Sequence, residues 1–153
     1  MNRPQRNPRS ERTRVRRHRG ARRLLFEALE DRRLLAAVPT LIDIVTGSGG
    51  ASPSNLTNVN GTLFFKAYDA SNGSELWKSD GTTAGTVLVK DIRAGSVGSS
   101  PKFLTNVNGT LFFNANNGTN GYEIWKSDGT TAGTALVMDI KAAGDSSPKY
   151  LTN

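Results

Sequence analysis

Cysteine is absent from the chain, and histidine occurs once, as His18. The first absence excludes disulfide staples, thiolate zinc sites and cysteine nucleophiles. The second leaves residues 38–153 with no imidazole base, so no serine or cysteine triad can be assembled there. No apolar run approaches the ~20 residues needed to cross a bilayer as a helix. Beyond residue 37 no window carries a 3.6-residue apolar period. No glycine-rich segment stands between a strand and a helix where it would cradle a phosphate. No metal or cofactor site is therefore expected, and no transmembrane segment.

Charge is present but unevenly placed. Residues 1–37 hold 12 of the 20 basic residues, all arginine, against Glu11, Glu27, Glu30 and Asp31. The remainder has eight basic and nine acidic residues. The sequence pI near 10.1 thus belongs to the leader alone. A basic average suggests nucleic acid, but residues 38–153 carry no basic stripe, and no nucleic-acid partner is expected for them.

Met1 to Gly20 is arginine-rich and carries Pro4 and Pro8. It cannot bury enough apolar surface to offset chain entropy and is expected to be disordered. From Arg22 the text becomes RRLLFEALEDRRLLAA, with Leu24, Leu25, Ala28, Leu29, Leu35 and Ala36 on one side of a helical wheel. A short helix is predicted here, interrupted by Arg32 on its apolar stripe and stopped near Pro39. The leader has the basic region of an export signal, and Ala36-Ala37 offers a small-residue cleavage site. Acids at 27, 30 and 31 break its apolar region. An organellar presequence, a nucleic-acid arm and a plain solvated tail are the competing readings.

The rest of the chain says one thing twice. LTNVNGTLFF runs from Leu56 to Phe65 and again from Leu104 to Phe113, and WKSDGTTAGT starts at Trp77 and again at Trp125. Both spacings are 48, and residues 52–99 laid over 100–147 agree at 32 of 48 positions. A period of this size marks stacked repeats, propeller blades or arrays. Each unit predicts four strands: Asn55–Val59, Thr62–Tyr68, Glu75–Ser79 and Thr86–Ile92. They are separated by Asn60-Gly61, the cluster Asp69–Gly73, and Asp80-Gly81. Asn-Gly and Asp-Gly between apolar runs are hairpin signals, since glycine takes the positive φ of tight turns.

These strands are apolar on both faces. Leu63, Phe65 and Ala67 oppose Phe64 and Tyr68, and Val87 and Val89 oppose Leu88 and Ile92. A sheet with one wet face would alternate cleanly, whereas a sheet held between like sheets need not. The fold expected is all-β, a propeller-like tandem of four-stranded repeats. Leu41–Ile44 stands 48 residues before Val89–Ile92 and is expected as the closing strand of a partial blade, within 38–51. Units follow at 52–99 and 100–146, and 147–153 begins an incomplete third. Two blades alone would leave broad apolar faces in water. Further copies of the repeat, from a longer chain or from other copies, are therefore expected as partners.

Two stretches resemble known families. Phe26 to Ala37, FEALEDRRLLAA, resembles the LEPR-XLL motif found at the head of large exported or cell-surface bacterial proteins. Phe26, Glu27, Leu29, Glu30, Arg32, Leu34 and Leu35 match, and Asp31 replaces its proline. The resemblance implies an extracytoplasmic, secreted or cell-surface location. GSELWKSDGTTAGTVLVKDI, residues 73–92, resembles the bacterial ELWxxDGT repeat, and residues 121–140 are a second copy with Ile124 for the family's leucine. With its flanks the likeness covers residues 41–153. It implies a propeller-like fold in long exported proteins and attaches no catalytic activity to the repeat.

Several individual residues admit both a structural and a functional role. Asp80 and Asp128 precede glycine as in calcium loops, but each lacks the further acids such loops concentrate, so a capped turn is the better reading. Trp77 and Trp125 are either stacking platforms for a sugar or core residues at equivalent places. Glu75, Glu123, Asp91 and Asp139 recur in both units. A glycosidase needs two acids differently placed about one substrate, whereas recurring acids suit backbone and hydroxyl donors between units. Three functions remain in competition. The first is a non-enzymatic exported scaffold or adhesion module meeting a surface glycan or protein. The second is an extracellular carbohydrate-binding or carbohydrate-active domain using Trp77 and Trp125. The third is a fragment of a longer repeat protein that does not fold alone.

Overall fold

The computed structural model describes residues 41–45, 49–142 and 144–152. The expected disordered leader with its short helix, residues 1–37, lies outside the described residues. Two four-stranded antiparallel sheets form, each a simple meander. The first contains β1 (Ser54–Val59), β2 (Thr62–Asp69), β3 (Gly73–Ser79) and β4 (Val87–Lys90). The second contains β5 (Lys102–Val107), β6 (Thr110–Asn116), β7 (Tyr122–Ser127) and β8 (Ala135–Met138). No helix occurs among the described residues, and two sheets do not close a ring.

Turn chemistry explains the first hairpin of each sheet. Asn60 and Gly61 both have positive φ (51° and 87°), as do Asn108 and Gly109 (48° and 83°). That is the two-residue turn whose twist matches the flanking strands. The Asn58 carboxamide accepts the Gly61 N–H at 3.0 Å, and Asn106 does the same for Gly109 at 2.9 Å. A bulge interrupts β1 between Ser54 and Thr57, and β5 between Lys102 and Thr105. Its left-handed residue is Asn55 in one sheet and Phe103 in the other.

Register sorts the side chains onto two faces. Phe65 is opposite Trp77 and Leu63 opposite Ser79, while Phe64 is opposite Lys78 and Lys66 opposite Leu76. We call these the tryptophan face and the lysine face. The second sheet repeats both, with Phe113 opposite Trp125 and Phe112 opposite Lys126. The core joins unlike faces: Phe64, Leu76, Val89 and Ile92 of the first sheet pack with Leu111, Phe113, Ala115 and Trp125 of the second. Burying side chains of this size stabilises by about 1.5–3 kcal/mol each. The sheets approach through their first strands, where the Thr57 hydroxyl donates to the Leu104 carbonyl at 3.0 Å. The Asn106 carboxamide returns a bond to the Asn58 carbonyl at 3.2 Å.

Four expectations need correction. Leu41–Ile44 is not a strand, because no β3-like neighbour stands beside it among the described residues to complete a ladder. Its Ile42 and Ile44 nevertheless line a cavity with Leu63 and Phe65 on the tryptophan face of the first sheet. Residues 147–152 also form no strand, yet they dock as the start of a unit does. Ser147 N–H donates to the Tyr122 carbonyl at 3.0 Å, as Ser100 does to Ser74 at 2.9 Å. The Thr105 hydroxyl donates to Leu151 at 2.9 Å, as Thr57 does to Leu104. Asp80-Gly81 does not make a two-residue hairpin, since β4 begins only at Val87. Val89 and Ile92, expected on opposite faces, share the core, because β4 ends at Lys90 and Ile92 lies in the bend beyond.

Candidate functional site

The loop between β3 and β4 is built from the motif Ser79-Asp-Gly-Thr-Thr-Ala-Gly-Thr86. Asp80 accepts from the Thr82 N–H at 2.9 Å and the Thr82 hydroxyl at 2.7 Å. That hydroxyl in turn accepts the Gly85 N–H at 2.9 Å. Thr86 donates its hydroxyl to the Thr82 carbonyl at 2.7 Å and meets the Ser79 hydroxyl at 2.6 Å. The Asp80 carboxylate lies directly against Gly85, so a Cβ there would collide with it. The five-residue spacing from aspartate to glycine is thus a packing requirement. Asp128, Thr130, Gly133, Thr134 and Ser127 rebuild the same loop in the second sheet. The Thr82 hydroxyl and amide hold the Asp80 carboxyl below the usual range, and Thr130 does so for Asp128. Among the described residues no group of three acids or histidines is placed to hold a metal ion.

The recurring glutamates clamp the turn that follows each sheet. Glu75 is fully buried and accepts from the Ser99 N–H (2.7 Å), the Ser99 hydroxyl (2.5 Å) and the Arg93 N–H (3.1 Å). Glu123, also fully buried, accepts from the Ser146 N–H (2.9 Å), the Ser146 hydroxyl (2.5 Å) and the Ile140 N–H (3.3 Å). Their proton affinities diverge. Burial pushes the Glu75 carboxyl above the usual range despite the bonds from Ser99 and Arg93. At Glu123 burial acts in the same sense, but the bonds from Ser146 and Ile140 together outweigh it and hold the carboxyl below the range. The difference follows from what covers each clamp. The Ser99 carbonyl is bonded to Asn116 N–H of the second sheet at 3.0 Å, so the protein is thicker there. The aspartates do not share this role. Asp91 is exposed, and Asp139 accepts from the Asn120 carboxamide at 2.7 Å.

As sugar platforms the tryptophans fail in part. Trp125 is 6% exposed, beneath the lysine face of the first sheet. Trp77, on the outward tryptophan face, is half-buried. Both indole N–H groups are buried without a partner among the described residues. The repeat signature thus places Trp125 in the core and leaves Trp77 alone with a partly open ring.

The junction between units includes residues that pattern reading passed over. The Lys78 ammonium donates to the Gly129 carbonyl at 2.8 Å, and Lys90 donates to the Thr134 carbonyl at 2.8 Å. The Thr131 hydroxyl donates to the Val89 carbonyl at 2.8 Å. Their one signal was position: each lysine alternates with apolar residues on a face that ought to be dry.

Residues 20–39 match the family described as Planctomycete extracellular. The likeness is to extracellular proteins and lies in the leader, ending before the first repeat unit. No curated protein and no solved structure matches the chain. Among the described residues, no helix is long and apolar enough to cross a membrane.

Three concavities remain. The largely apolar one of about 210 Å³ is lined by Ile42, Ile44, Leu56, Leu63 and Phe65. A second, of about 400 Å³, lies on the opposite outward face beside Phe112, Ile124, Tyr150 and Leu151. The third, of about 270 Å³, is polar and includes Lys102, Asn114 and Asp145. The Lys102 ammonium stands 4.9 Å from the centre of the Tyr122 ring at its edge.

Proposed function

We propose that this chain is a non-enzymatic, exported repeat module of propeller type that serves as a cell-surface scaffold or adhesion element. The observation carrying this reading is duplication of the polar chemistry. In both units the same glutamate clamps the same serine, and the same aspartate closes the same loop. These acids are committed to holding the fold, and a hydrolytic pair would need two acids in unlike positions about one bond. The extracellular likeness of residues 20–39 supports the address. The resemblance of both units to the ELWxxDGT repeat and of the leader to LEPR-XLL supports the class.

The test is localisation of the full chain, tagged at its C-terminus, in a planctomycete host. The expected outcome is recovery in the extracytoplasmic fraction with the leader shortened. Deletion of residues 1–37 should retain the protein in the cytoplasm. Full-length protein found in the cytoplasm with its leader intact would overturn the reading.

A further inference from the structure

The two outward faces of the sheet pair are the two halves of the junction already formed between the sheets. Inside, the lysine face of the first sheet meets the tryptophan face of the second. Outside, the first sheet still presents a tryptophan face and the second a lysine face. The cavity beside Leu63, Phe65, Ser79 and Thr86 is the counterpart of the place beside Leu111 and Phe113 that Phe64, Leu76 and Val89 fill internally. Ile124 and Phe112, which stand where Leu76 and Phe64 stand, border the open concavity on the other side. We propose that the chain assembles head to tail, the lysine face of one copy seating on the tryptophan face of a second copy.

The internal junction specifies the external one bond by bond. Lys126 is exposed, and its counterpart Lys78 reaches the Gly129 carbonyl. On assembly Lys126 donates to the Gly81 carbonyl of the second copy. The Thr83 hydroxyl of the second copy takes the Val137 carbonyl, as Thr131 takes Val89 internally. Met138 replaces Lys90, so the bond to the Thr134 carbonyl has no external equivalent.

Two short segments already sit where a neighbour's chain would run, and each yields to a segment of its own pattern. Leu41-Ile-Asp-Ile44 gives way to Val137-Met-Asp-Ile140 of the adjoining copy. Ser147-Pro-Lys-Tyr-Leu-Thr152 gives way to Ser52-Pro-Ser-Asn-Leu-Thr57. The incoming segments remake in kind the packing that the displaced ones give up, and burial of Ile124, Phe112 and Ile140 is added. Because the joined faces differ, the interface is heterologous and propagates instead of stopping at a symmetric pair.

This inference rests on the repeat reading but not on export, so its failure would leave the extracytoplasmic address untouched. The test uses the purified full chain and light scattering across a concentration series. Wild type should grow from 16.4 kDa toward multiples of that mass as concentration rises. Ile124→Lys blocks the lysine face, and Leu56→Lys blocks the tryptophan face. Each alone should stay monomeric, while an equimolar mixture should form a dimer and nothing larger, since one intact face of each kind remains. Circular dichroism checks that each variant keeps its strand signal. Ile140→Glu substitutes for Ile124→Lys if that variant does not fold. Wild type monomeric at every concentration, either variant associating alone, or a mixture that stays monomeric would each overturn the proposal.

Discussion

Val89 and Val137 hold the same place in consecutive sheets, yet the first is 2% exposed and the second 48%. Ile92 and Ile140 differ in the same way, at 9% and 58%. Trp125 is core where Trp77 is only half-covered. Nothing in the residues themselves separates the members of these pairs. The first sheet's lysine face is dry because the second sheet lies on it, and the second sheet's tryptophan face is dry for the same reason. Burial here belongs to the junction between units, and energetic weight should follow the junction and not the motif.

That comparison is sharpest at the tryptophans. Trp125→Ala should cost about 3–5 kcal/mol in urea unfolding, as large-to-small core changes do, and Trp77→Ala clearly less. Equal losses would mean that the motif, not the neighbour, sets the cost. Next come the clamps. Glu75→Ala or Glu123→Ala strands two amide donors and a hydroxyl and should cost about 2 kcal/mol each.

Their glutamine variants separate the two clamps by pH, read as differences from the double variant. With Glu123→Gln, Glu75 is left titrating. Its folded form keeps the proton to higher pH than the unfolded chain does, so stability rises as pH falls from neutral through that folded value. With Glu75→Gln, Glu123 is left. Its contribution is present above the unfolded value and is lost as pH falls through the lower folded one. Parallel slopes would refute the difference in cover.

At the lysines, Lys78→Met removes a bond across the junction and should cost about 1 kcal/mol. Lys126→Met, measured on dilute monomer, should be close to neutral. The smallest effect is expected at the bulge. Phe103 holds φ of 54° where the first sheet has Asn55, a residue suited to that conformation. Its ring lies 6.1 Å from that of Tyr150, centre to centre. Phe103→Asn should gain or lose no more than about 0.5 kcal/mol in melting experiments, as relieved strain and the missing ring pair offset each other.

Most of the strands were legible because their signals are local. Asn60-Gly61 demands positive φ, and TLFFKAY alternates two apolar sets that only a doubly covered sheet accommodates. The reading failed where an element depends on a partner outside its own window. Leu41–Ile44 carries a strand's sequence but has no ladder to join. Asp80-Gly81 reads as a hairpin, yet the hydroxyls of Thr82 and Thr86 pull the chain into a longer loop. The site was half legible. Recurrence pointed to Glu75 and Glu123 as acceptors for backbone and hydroxyl donors, and those bonds are present. The lysine-to-carbonyl bonds were not legible, since pairing a side chain with a backbone oxygen 44 or 51 residues away leaves no sequence pattern.

The glutamate clamp also bears on how a long array would behave. Ser99 lies 24 residues beyond Glu75, but Ser146 only 23 beyond Glu123. The grip is the same at both lengths, so slack is absorbed in the intervening turn before the next unit is reached. Angular phase is therefore reset at each carboxylate, and small errors in copying a tandem array do not accumulate down the chain.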